Sequence, residues 1–158
     1  MSEIDRIIAQ HQNAFDGDPW HGDPLMTLLA NVAAQVASAR PIPGAHTIRE
    51  IVRHLTFWYD GAARRLDGHV FEADETEQWP AGEENGPDEA AWQREREDLT
   101  RAHRAFLEAV TRLDDADLDR PVPGKPYDVY YLLHGLVQHL LYHAGQVAIL
   151  KRAAAAAG

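Results

Sequence analysis

The 158-residue chain has no cysteine. That removes disulfides, thiolate nucleophiles, Cys-ligated zinc and iron–sulfur clusters. Positive charge is scarce: 15 Lys and Arg stand against 25 Asp and Glu, a formal net charge of −10. Nucleic-acid backbones and anionic membrane surfaces are held by clustered cations, so neither is an expected partner. No apolar run approaches the ~18–20 residues of a membrane span. The opening MSEIDRIIAQ lacks the basic start and long apolar stretch of a secretory signal. Strand-type alternation is missing too. The expectation is a soluble, cytoplasmic protein with one domain over residues 1–158, a length ordinary for a single domain. Apolar residues make up 45%, enough for a core. Histidine is the one excess, with nine copies.

What is present reads as helix. Ser2, with Asp5 at the third position, can cap a short N-terminal helix through Phe15. DGDPWHGDP (residues 16–24) breaks it, and Asp23-Pro24 is a cap followed by a first-turn proline. A second run is expected from Leu25 to about Ala39, closed by RPIPGA. Thr47-Ile48-Arg49-Glu50 is a capping box, and apolar residues recur behind it at helical spacing to about Leu66, with Gly68 as the stop. Further helices are expected over about 88–113 and 127–152, with the Ala153–Ala157 tail frayed. The expected class is therefore all-α: a four-helix bundle preceded by an N-terminal piece.

The connection over residues 69–86 has no periodicity. Eight acids and no Lys or Arg lie between Glu72 and Glu89. A loop longer than ~12–15 residues in a compact domain is uncommon. It reads either as a solvated crossover pinned by Trp79, which is favoured, or as a cover over a site at the bundle end.

His139 and His143 are four apart on the last helix and so point the same way, one turn above the other. Two imidazoles at that spacing can hold one metal ion, although the glutamate of H-E-x-x-H is absent: Leu140, Leu141 and Tyr142 intervene. A metal needs a third ligand from elsewhere. His54 is the best candidate, one turn from Trp58, and His103 competes from the stripe of Leu99, Phe106 and Val110. His134 falls on the opposite, polar side with Gln138 and Arg152. His21, His46 and His69 sit at breaks or helix ends, usually solvent-facing places. Spacing alone leaves two readings open: a shared metal, or a pair satisfied by hydrogen bonds in the core.

Two segments, HTIREIVRHLTFW (46–58) and YDVYYLLHGLVQHLLYHAGQVAILK (127–151), resemble the DinB/YfiT-like superfamily of metal-dependent proteins. PWHGDPLMTLL (19–29) is similar to that family's first bundle helix, and the likeness covers nearly the whole chain in order. The resemblance implies up-down-down-up order, with the long connection between the second and third bundle helices. It implies a divalent metal, zinc or nickel, on His54, His139 and His143, and it demotes His103. It also implies a homodimer.

Three imidazoles leave open positions on such an ion, the pattern of catalytic rather than structural sites. Hydrolysis and transfer dependent on a low-molecular-weight thiol both suit it. Glu50 lies one turn before His54, but capping accounts for it. Gln146 follows His143 by three residues and reads as a helix-surface residue or a donor to a ligand or substrate. Trp20, Trp58 and Tyr59 read as core or pocket wall, and no cationic substrate clamp is visible. The alternatives to a metal-dependent enzyme are a non-catalytic metal-binding or stress-response protein, and a plain helical interaction module.

Overall fold

The computed structural model describes residues 1–80 and 86–156. Among them all regular structure is helical, apart from one isolated bridge between Pro121 and Asp128. The helices are α1 (Glu3–Phe15), α2 (Leu25–Leu29), α3 (Ala34–Ser38), α4 (Ile48–Leu66), α5 (Glu89–Val110) and α6 (Val129–Ala156), with a short 3-10 turn at Asp115–Asp117. None of the described helices is long and apolar enough to cross a membrane.

Local chemistry sets the ends. Ser2 Oγ accepts from Asp5 N at 3.0 Å and Asp5 Oδ2 from Ser2 N at 2.9 Å, so two orphan donors of α1 are satisfied reciprocally. Thr47 and Glu50 do the same for α4, at 3.1 and 2.7 Å. Gly68, at φ +89°, ends α4 in the left-handed region that favours glycine. Asp128 Oδ1 accepts from Tyr131 N at 2.8 Å and starts α6. The alanine tail does not fray where expected. It stays helical to Ala156, and Ala157 lies outside the described residues.

The single helix expected over 25–39 is a correction. The chain breaks after Leu29 and restarts at Ala34. Helix α5 takes up the backbone groups freed there. Trp92 Nε1 donates to Val32 O at 2.6 Å, Arg96 donates to Leu29 O, and Glu89 Oε2 accepts from Ala34 N at 2.8 Å. Periodicity could not reveal partners about 60 residues away, and a broken segment whose polar groups are paired costs little. The longer N-terminal helix is α1, which buries Ile4, Ile7, His11 and Phe15 against the rest.

Helix α4 is packed between α5 and α6. Along α4 and α5 partner numbers rise together: Arg49 pairs with Glu95, Tyr59 meets His103, and Asp67 pairs with Arg112. Along α4 and α6 they run oppositely, since His54 meets His139 whereas Arg65 meets Tyr127. Against α5, α1 also runs oppositely: His11 packs on Phe106 and Phe15 on His103. The core fills the space between these four, with Trp92, Phe106, Leu133 and Val147 fully enclosed.

Candidate metal centre

The stripe that buries α4 also carries His54 inward, and the apolar side of α6 carries His143 and the half-buried His139. Nε2 of His139 lies 3.0 Å from Nε2 of His54 and 3.0 Å from Nε2 of His143. Among the described residues this trio is the group of metal-ligating side chains brought within reach of one ion. Two ligand nitrogens at ~2.0–2.1 Å from a tetrahedral ion stand ~3.3 Å apart, so the observed spacing needs an adjustment of only a few tenths of an ångström.

The outer nitrogens fix the tautomers. His54 Nδ1 donates to the Gln78 carbonyl at 2.6 Å, and His143 Nδ1 donates to Gln146 Oε1 at 2.6 Å. In each neutral ring Nε2 is therefore a lone pair. Both lone pairs face His139 Nε2, which holds at most one proton. Hydrogen bonding alone leaves one acceptor short, whereas a cation satisfies all three nitrogens. Acceptors on the second nitrogen are the usual supports of metal-bound histidines. Burial pushes His139 down to about 3 and His54 to about 4, with neighbouring imidazoles adding to it, and burial also lowers His143. The rings are thus neutral at pH 7, the form that binds metal.

The long connection contributes directly. Trp79 stacks on His54 at 3.9 Å between ring centres and carries His46 on its other face at 3.5 Å. The favoured solvated loop pinned by Trp79 holds for the exposed Glu72, Asp74, Glu75, Thr76 and Glu77, but Gln78 and Trp79 also cover His54, and the acids Glu83 and Glu84 lie outside the described residues. Trp79→Ala should uncover His54 and loosen the Gln78 contact. A loss of ~10–100-fold in metal affinity, the scale for an outer support, is expected in a competition titration with a chelator.

Other sequence expectations divide. Glu50 is committed to its cap, as expected, and also to Arg40 at 2.7 Å. Gln146 does turn to His143, but as an acceptor rather than the donor expected: its Oε1 takes the hydrogen bond from Nδ1, three residues back on the helix. Tyr59 is core. Trp20 is fully exposed and lines nothing. Trp58 stands edge-on to His54 and His139 and walls a cavity of about 330 Å³ that opens beside His139. His134 is half-buried against Tyr130 and away from the trio. His103 stacks on Phe15 in a separate buried group with His11, a residue the sequence pattern did not bring out.

A family model described as DinB superfamily matches residues 20–147. The chain belongs to the DinB superfamily. No curated protein and no solved structure matches it. For a DinB-like protein the three-histidine cluster is compatible with metal binding. The matched residues include all three histidines and begin beyond α1.

Proposed function

We propose that residues 1–158 form one DinB-like four-helix bundle of α1, α4, α5 and α6 in up-down-down-up order, holding a divalent zinc or nickel ion on His54, His139 and His143. The paired residues along α4, α5 and α6 support that order. The observation that carries the metal is the trio of convergent Nε2 atoms, two of them deprotonated by their outer hydrogen bonds.

The function supported best is a metal-dependent enzyme, either a hydrolase or a transferase using a low-molecular-weight thiol. An ion on three imidazoles supplies an open Lewis-acid position that favours the anionic form of water or a thiol. The chain's own residues hold that position: Gln78 and Gln146 orient two ligands, Trp79 shields one side, and Trp58 directs access from the cavity. No carboxylate joins the cluster among the described residues, so the thiol reaction, which asks less of a general base, is the more economical reading. Exposed Tyr131, Leu141, Tyr142 and Ile149 on α6 favour a homodimer, and a cytoplasmic location accompanies this reading.

The test is elemental analysis of untagged protein followed by turnover with thiol–electrophile pairs and simple esters. About one equivalent of metal per chain and turnover lost in His139→Ala are expected. Tight metal without turnover in either panel would favour the non-catalytic metal-binding alternative, and absence of metal would favour the helical module.

A further inference from the structure

Two arginines are buried in this acidic chain, Arg49 and Arg65. Arg49 has a carboxylate: its Nε donates to Glu95 at 2.7 Å. Arg65 has none within ion-pair distance among the described residues. Its guanidinium donates to Tyr127 Oη at 3.2 Å and to the Phe71 carbonyl at 2.9 Å, while Nε is buried without a partner. Its flat faces lie near the Trp58 and Phe71 rings, at 5.4 Å from each centre. Neutral oxygens and aromatic faces soften the desolvation of a cation but do not neutralise it.

This unneutralised cation lines the same cavity as His139. Arg65 lies eleven residues beyond His54 on α4, ~16 Å along the helix axis. The Arg65 side chain leans back over Trp58, whose ring centre lies 5.4 Å from the guanidinium carbon and 6.2 Å from the His139 ring centre, so the guanidinium and the histidine trio are on the order of 10 Å apart. The wall between them is apolar and aromatic, with Trp58, Leu132 and Leu136, and Gly135 leaves open space where a side chain would stand.

We propose that this cavity binds an elongated monocarboxylate: its carboxylate sits on Arg65 and the Tyr127 hydroxyl, its apolar body lies along Trp58 and Leu132, and its far end reaches the histidine trio. Because Arg65 donates to the Tyr127 oxygen, the phenolic proton is free to donate to the ligand. One guanidinium and one hydroxyl match a single negative charge; a phosphate dianion would call for more cations than the cavity has. The placement of the far end rests on the metal-centre reading, whereas the carboxylate subsite does not.

The probe is octanoate, about as long as the gap, with octanol as its neutral counterpart, titrated calorimetrically into the full chain. Octanoate should bind wild type at least about tenfold more tightly than octanol does. Arg65→Gln should erase that preference, and Arg65→Lys should keep part of it. Gly135→Leu puts a side chain into the cavity while favouring helix, so it should abolish octanoate binding with an unchanged or raised melting temperature. It decides the matter if Arg65→Gln does not fold. Wild type stripped of metal with a chelator should bind octanoate within about threefold of the untreated protein. Equal octanoate affinity in wild type and Gly135→Leu, or in wild type and a folded Arg65→Gln, would overturn the proposal. So would octanoate binding lost in the stripped wild type but kept in Arg65→Gln, since the carboxylate would then sit at a metal on the trio. A wild type that carries no metal as purified yet binds octanoate through Arg65 would refute the metal centre alone.

Discussion

His139→Ala is expected to abolish metal retention, because the central nitrogen is the one both neighbours face. Nε2 of His139 stands 3.0 Å from each of the other two, and its removal leaves two ligands on opposite walls. The loss should exceed the ~10–100-fold typical of an outer-support change. Gln146→Leu gives the internal scale. It removes the acceptor from His143 Nδ1, freeing that ring to take either tautomer, so it should fall within that ~10–100-fold range. His134→Ala, away from the cluster, should retain metal nearly as wild type does. Equilibrium dialysis of untagged variants against a zinc buffer separates the three levels. If His134→Ala and His139→Ala lost metal equally, the assignment of the trio would be wrong.

The contrast between His139 and His134 shows what could be read before any coordinates. Helical periodicity separated the side carrying His139 and His143 from the side carrying His134. Capping chemistry placed the start of α4 at Ile48, and with it the register of His54. Both signals are local, and local signals survive folding when a helix is long. They failed where partners are distant. Residues 25–39 have good helical spacing, yet Trp92 and Arg96 of α5 hold the backbone carbonyls of a break there. Gln78 and Trp79 belong to a segment without periodicity; Trp79 stood out as a pin and the loop as an alternative cover, but nothing local tied either residue to His54. Arg65 drew no reading from its position, since a cation in the last turn of a helix is ordinary. Only the tertiary arrangement shows it buried beside Tyr127 with no carboxylate among the described residues. The parts legible early were thus those set within one helix, and the parts missed were those set between elements.

A second large effect is expected in acid, from histidines that belong to no metal site. His11 is buried with Nε2 donating to the Leu133 carbonyl at 3.0 Å, its ring against Phe106. His103 lies flat on Phe15 at 3.8 Å, beside the buried Tyr59 ring. His11 Nδ1, His103 Nε2 and the Tyr59 hydroxyl have no hydrogen-bond partner among the described residues. Burial pushes His11 down to about 4 and His103 to about 3 from the ordinary 6.5. Below pH 6.5 the unfolded chain takes up a proton at each position, while the folded chain does not until near pH 4 at His11 and near pH 3 at His103. Unfolding therefore absorbs protons in that window, and stability falls as pH falls. At pH 4.5 the two-unit gap corresponds to about 3 kcal/mol for His103 alone, a large part of the ~5–15 kcal/mol of a typical domain. His103→Leu keeps an apolar side chain of similar volume against Phe15 and removes the titration. Urea unfolding of metal-free protein should show wild type losing about 3 kcal/mol more than His103→Leu between pH 7 and pH 4.5. An equal loss in the two proteins would show that His103 does not remain neutral in the folded core.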